Sequence, residues 1–198
     1  MKPCIITIAF FIFVINTNAQ NQELTGFRDG LIITQSNDTI MCQVPLAFNF
    51  GDKVSIKRNK DANPETVPLS EIKYLATATN VYENVAFLTA EKMMHKLMWI
   101  EIEGPMNLYL EISRNEGITT RSFNKNGSES GSRTEYIESR IYVIRKSGNN
   151  YMIPKDNFDI YVKPLVAEFP DLIKKIDSRF YKYGNIEELV KEYNRLKQ

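Results

Sequence analysis

The stretch that most constrains this chain is residues 97–112, LMWIEIEGPMNLYLEI, where two alternating runs flank Gly104-Pro105. Alternation with a period of two is what a half-buried strand requires. Pro105 has no N–H to give to a ladder, so it belongs in the connection between the runs. The pattern predicts an antiparallel hairpin. Successive strand side chains point to opposite faces, which puts Ile100, Ile102, Leu108, Leu110 and Ile112 on a core face. Trp99, Glu101, Glu103, Tyr109 and Glu111 are then expected together on the other face.

A hairpin alone cannot bury its apolar face, and partner strands can be read on both sides of it. LIIT (31–34) and TIMCQV (39–44) are joined by Gln35-Ser36-Asn37-Asp38, a turn whose Asn and Asp tolerate the left-handed conformation. VSIKR (54–58) and VYENVAFL (81–88) read as strands, and SEIKYLAT (70–77) as a strand or a short helical turn. Residues 59–68 read as a polar loop. Residues 121–133, RSFNKNGSESGSR, have no periodic apolar residue and are expected to form a mobile loop. YIESRIYVIRK (136–146) and YMI (151–153) restore the strand pattern.

Beyond Pro154 the period lengthens to about 3.6 residues. Phe158, Tyr161, Val162, Leu165 and Phe169 mark a first helical face that Pro164 would break or kink. A second helix is expected from Pro170 and to end at Gly184. A third follows Asn185, an N-cap candidate, with Glu188 at the capping-box position. Strands followed by segregated helices make the fold class α+β. The expectation is an antiparallel β-sheet or half-barrel of about 7–9 strands, then two or three short C-terminal helices. One domain spans 20–198, β-rich over 20–153 and helical over 154–198.

Residues 1–19, MKPCIITIAFFIFVINTNA, read as a secretory signal peptide. Lys2 supplies the positive start, Ile5–Ile15 the apolar run, and Thr17 and Ala19 the small residues before cleavage at Gln20. The run is shorter than the roughly 20 residues of a membrane span, so no integral span is expected in the mature chain. Removing Lys2 from 25 basic and 24 acidic residues leaves the two signs balanced at 24 each. That balance argues against a nucleic-acid partner, which calls for a basic excess. Only Cys42 remains after cleavage, so no intrachain disulfide can form, and a lone thiol within a strand is expected to be a buried apolar group.

Several short features point to one group of proteins. They are Ala19-Gln20 at the end of the leader, Gly30-Leu31-Ile32-Ile33-Thr34 before Asp38-Thr39-Ile40, the β-rich middle, and Tyr193-Asn194 near the end. In these the chain resembles uncharacterised short exported proteins of Bacteroidota, departing from them at Asn37, where the turn would carry Gly. The resemblance implies a Gram-negative envelope location, either periplasmic or associated with the outer membrane, or secretion. It implies no catalytic residues. Asp38-Thr39-Ile40 is also similar to the acceptor triplet for O-glycosylation in some of these bacteria, which makes Thr39 a candidate for modification.

Residues able to carry chemistry are few. His95 is the sole histidine, so a zinc site or a Ser-His-Asp arrangement would have to centre on it; with Cys42 the one sulfur ligand, and Ser70, Ser122, Ser128 and Ser130 outside any nucleophile-elbow context, no metal, cofactor or catalytic residue is assigned. Carboxylates beside aromatics are what a sugar-binding face uses, so Trp99, Glu101, Glu103, Tyr109 and Glu111 are the candidate ligand contacts. The expected function is an exported protein, soluble or envelope-associated. It would act as a binding, interaction or structural module, and its partner would be an envelope protein or a glycan. The alternative is a carboxylate-dependent hydrolase acting on glycans.

Overall fold

The computed structural model describes residues 26–45, 51–89, 91–123 and 129–198, with the side chains of 114–137 left out of the description. The leader expected over 1–19 lies outside the described residues. The strands are β1 (Phe27–Thr34), β2 (Thr39–Pro45), β3 (Lys53–Ile56), β4 (Glu65–Pro68), β5 (Ile72–Thr77), β6 (Val81–Leu88), β7 (Met93–Ile102), β8 (Met106–Phe123), β9 (Glu129–Lys146) and β10 (Asn149–Ile153). Helices α1 (Phe158–Val162), α2 (Pro170–Asp177) and α3 (Ile186–Leu196) follow them. Eight strands form one antiparallel sheet in the order β10-β9-β8-β7-β6-β5-β1-β2, while β3 and β4 pair separately. This is an α+β fold with a half-barrel-like sheet. Among the described residues no helix is long and apolar enough to cross a membrane.

The central strands are buried on both faces. On one face, Ile32, Val44, Ile72, Leu75 and Leu97 pack under Val54, Ile56 and Val67 of the small β3–β4 sheet. Cys42 sits in this layer at 7% exposure, and burial pushes its thiol above the ordinary range. Further along the same face, Met106, Leu108, Leu110, Tyr142 and Ile144 meet the helices through Val162, Leu172, Ile176, Leu189, Val190 and Tyr193. The sheet curls so that its second face closes on itself. Val85, Phe87, Met98, Tyr109 and Val143 fill that concavity. β10 and β9 then reach β6 directly: the Asn150 amide donates to the Ala86 carbonyl at 2.6 Å, and Arg145 meets Glu83 at 2.7 Å.

The hairpin of β7 and β8 forms where the alternation places it, but its faces differ from the expected ones. Trp99 pairs with Leu110, Ile100 with Tyr109 and Ile102 with Leu108, with a register shift between Ile100 and Ile102. A bulge adds one residue to one strand and so reverses the side its successors face. Trp99 therefore lies beside Leu108, Leu110 and Ile102 under the helices, whereas Ile100 shares the concave face with Tyr109. Strict alternation, assumed throughout, fails at Glu101.

Other local expectations change for equally local reasons. Residues 65–68, placed in a polar loop, form β4, because Val67 closes the apolar layer opposite Val54. Residues 69–71 make a 3-10 turn before β5. The stretch 121–133 is not a loop in its described parts, since 121–123 and 129–133 are paired strand; 124–128 lie outside the description. α2 stops at Asp177 rather than near Gly184. Asn185 does not cap α3 with its side chain: its amide accepts from the Lys182 N–H at 2.8 Å and donates to the Phe180 carbonyl at 3.0 Å, fastening the preceding turn instead. In the first hairpin, Asn37 has φ 68°, the left-handed conformation that Gly would have taken, and Lys73 donates to its side chain at 2.8 Å.

One contact joins the helical layer to the central hairpin. Asn194, 6% exposed, accepts from the Met106 N–H and donates to the Met106 carbonyl, both at 2.8 Å. The helix side chain imitates a neighbouring strand just past the β7–β8 turn. Gly104 lies so close that a Cβ there would meet the Asn194 amide nitrogen at 2.5 Å. Asn194→Ala leaves two buried backbone groups without partners, each worth about 1–3 kcal/mol, so urea unfolding should show a loss of about 2–4 kcal/mol. Gly104→Ala should also destabilise, by forcing the same pair apart; Asn194→Ala unfolding at the wild-type midpoint would show that the contact holds nothing.

Candidate functional site

The five residues expected on one face are divided by the bulge. Trp99 packs with the apolar layer under the helices. Glu101 is half-buried on that side; burial raises its carboxyl above the ordinary range, with Glu187 adding to the rise and Lys191 and Arg140 opposing it. Tyr109 and Glu111 belong to the concave face, and Glu103 is exposed beside the turn. Glu111 is 5% exposed and ion-paired with Lys96, so it is closed to a ligand. Glycoside hydrolysis needs two carboxyl groups flanking one bond, roughly 5–10 Å apart on a shared cleft. Glu101 and Glu111 face away from each other through the sheet and do not make such a pair. Of the other candidates, Thr39 is exposed at the start of β2 and His95 is exposed in β7.

The concave face carries a polar network that spacing in the sequence did not suggest. The Tyr109 hydroxyl donates to Glu83 at 2.8 Å, and Arg145 donates to the other Glu83 oxygen at 2.7 Å. Arg145 also donates to Asn150 at 2.8 Å and lies 4.7 Å above the Tyr109 ring. Burial first, and then the Glu83 carboxylate, push the Tyr109 phenol far above its ordinary range. It therefore serves as a permanent donor. The residues come from β6, β8, β9 and β10, and every charge is matched, so the network works as a seam that closes the half-barrel.

A second network ties the helices down. Lys146 reaches the Leu165 carbonyl and both oxygens of Glu168, while the Tyr193 hydroxyl donates to Glu168 at 2.6 Å. Thus Tyr193-Asn194, noted in the sequence as a terminal pair, acts through both members: one holds β9 through Glu168, the other holds Met106. Lys175 and the Tyr181 hydroxyl meet Glu192 in the same way, joining α2 to α3.

Two features remain that these ties do not absorb. The first is a ribbon. β8 leaves β7 after Leu110, and β10 leaves β9 at Tyr142, yet β8 and β9 stay paired out to Phe123 and Glu129. From Glu111 and Ile141 outward the two strands pair with no third strand among the described residues. At about 3.3 Å per residue the paired stretch from Glu111 to Phe123 is roughly 40 Å long, the first part of it still packed on the body. The second is a cleft of about 620 Å³ between residues 155–159 and 176–184. Phe158, Ile176, Tyr181 and Tyr183 supply its apolar lining, and Lys155, Asp156, Asp159, Asp177, Arg179 and Lys182 its charged one. No family model, curated protein or solved structure matches this chain.

Glu168 gives the helical network a pH signature. Burial acts to raise its carboxyl, but the Tyr193 hydroxyl and the Lys146 ammonium hold it down to about 2, against an ordinary value of 4.5. A carboxyl depressed by folding stabilises fully above its unfolded value and loses that contribution as pH falls through the folded one. Glu168→Gln should therefore be less stable than wild type at pH 7, and the difference should vanish between about pH 4.5 and pH 2. Urea unfolding at pH 7, 4 and 2.5 reads this directly; a difference that persists unchanged at pH 2.5 would rule the network out as its source.

Proposed function

We propose that this chain is an exported protein of the Gram-negative envelope, periplasmic or associated with the outer membrane, that works as a binding or structural module. Its partner is an envelope protein or a glycan surface, and its docking element is the ribbon of β8 and β9. The ribbon is the observation that carries this reading. A two-stranded hairpin is marginal in water on its own, and its two unpaired edges present rows of backbone donors and acceptors. Strand addition to such an edge is a general mode of protein recognition. The arm is anchored at its base, where Lys96 holds Glu111 and the Tyr183 hydroxyl donates to the Arg140 carbonyl at 2.6 Å. Support for export comes from the Lys2, Ile5–Ile15 and Thr17-x-Ala19 pattern of the leader.

The test is affinity purification from the native envelope, comparing the whole protein with a variant in which residues 114–137 are replaced by a two-residue turn. Every residue described as buried lies outside that segment, and loop length changes closure entropy only slowly, so the Tm should stay within a few degrees. The partner should be recovered with the whole protein and lost with the shortened one. Recovery of the same partner by both would remove the ribbon from the function, and an uncleaved Met1 in the envelope fraction would remove export.

A further inference from the structure

The cleft beside α1 and α2 joins an apolar floor to a charged lining, and its chemistry is distinct from that of the ribbon. Its apolar floor is Phe158, Ile176 and Tyr181, all less than 8% exposed, so the depth is shaped by side chains already held in the core. Of its three carboxylates, Asp159 and Asp177 are both engaged by Lys163, at 3.6 and 2.6 Å. Its three cations are different. The side chains of Lys155, Arg179 and Lys182 have no hydrogen-bond or ion-pair partner among the described residues. Lys155 comes from the segment before α1, and Arg179 and Lys182 from the segment after α2. Counting Lys163, the cleft has four cations against three carboxylates, and the donors of Lys155, Arg179 and Lys182 are free of described partners to meet an anion.

Arg179 supplies an independent sign. The Phe180 N–H bonds to the Lys175 carbonyl and the Arg179 N–H to the Ile176 carbonyl, both at 2.9 Å, which is the Schellman closure of α2. Arg179 occupies the position of that motif usually given to Gly, with φ 61°. A side chain there strains the backbone where Gly would not. The Arg179 guanidinium pairs with no described residue. Its placement makes sense if it is there for what enters the cleft.

We propose that this cleft binds a small organic anion, a carboxylate carried on a ring-sized body. The ring would lie on Phe158 and Tyr181 while Arg179 takes the carboxylate, its planar fork matching the two oxygens, and Lys155 and Lys182 add charge. A volume of about 620 Å³ falls within the range of small-molecule sites. Such a body occurs in aromatic acids and in acidic sugars, and both present the same head to Arg179.

The experiment is an NMR titration of the whole protein with phenylacetate and with glucuronate, each beside its neutral amide. At least one acid should saturate, with shifts centred on 155–159 and 176–184, and its amide should bind at least tenfold more weakly. Which acid saturates tells whether the body is aromatic or sugar. Arg179→Gly should weaken binding at least tenfold without lowering the Tm, so lost affinity cannot be ascribed to lost folding. The proposal is overturned if neither acid saturates, if the amide binds as well as the acid, or if Arg179→Gly binds like wild type.

Discussion

The arrangement depends on how one helix is attached to one hairpin. β8 needs a neighbour at Met106, just past the turn, where β7 has already ended at Ile102 and no other described strand stands in its place. Asn194 fills the place with a side-chain amide, which has the donor and acceptor geometry of a peptide group. That contact sets the position of α3 over the sheet, and α3 in turn brings Leu189, Val190 and Tyr193 down on Leu108 and Leu110. With one face of the central strands thus covered, the other has to be buried by curvature. The half-barrel form follows from those two demands.

Charge in this molecule is used mainly as a fastening. Arg145 with Glu83 joins β9 to β6, Lys146 with Glu168 joins β9 to the helical layer, and Lys175 with Glu192 joins α2 to α3. Partly exposed pairs of this kind contribute little to stability individually, so their value lies in direction: each fixes where two elements meet. Lys155, Arg179 and Lys182 take no part in such a fastening among the described residues, and they line one cleft.

Much of the fold was legible because burial imposes a period. The runs at 31–34, 39–44, 81–88 and 136–146 each alternate, and each is a strand. The helices declared themselves where the period lengthened. What escaped was whatever a single residue decides. The bulge at Glu101 leaves no mark in a pattern of alternating types, yet it reverses Trp99 relative to Tyr109 and scatters the presumed ligand face. β4 contributes just one buried residue, Val67, between two prolines, too little for periodicity to register. The outer ribbon is held by backbone pairing and carries no apolar stripe to announce it. Of the cleft, the sequence showed the residues but not their meeting, because Lys155 and Arg179 come together only through the packing of α1 against the end of α2.

The Asn194 contact also bears on the order in which the chain can fold. Most strands pair with their immediate predecessors, β5 through β10 in unbroken succession, so that part of the sheet can grow by local steps with short loops. Asn194 and Met106 are 88 positions apart. Their union needs both β8 and α3 in place and closes a long stretch of chain, which makes it a late event rather than a nucleus. Until then Leu108 and Leu110 have no cover, and the half-built sheet presents to its surroundings the very surface on which neighbouring unfolded chains would adhere. A polypeptide organised this way is most vulnerable in the interval between finishing its strands and docking its last helix.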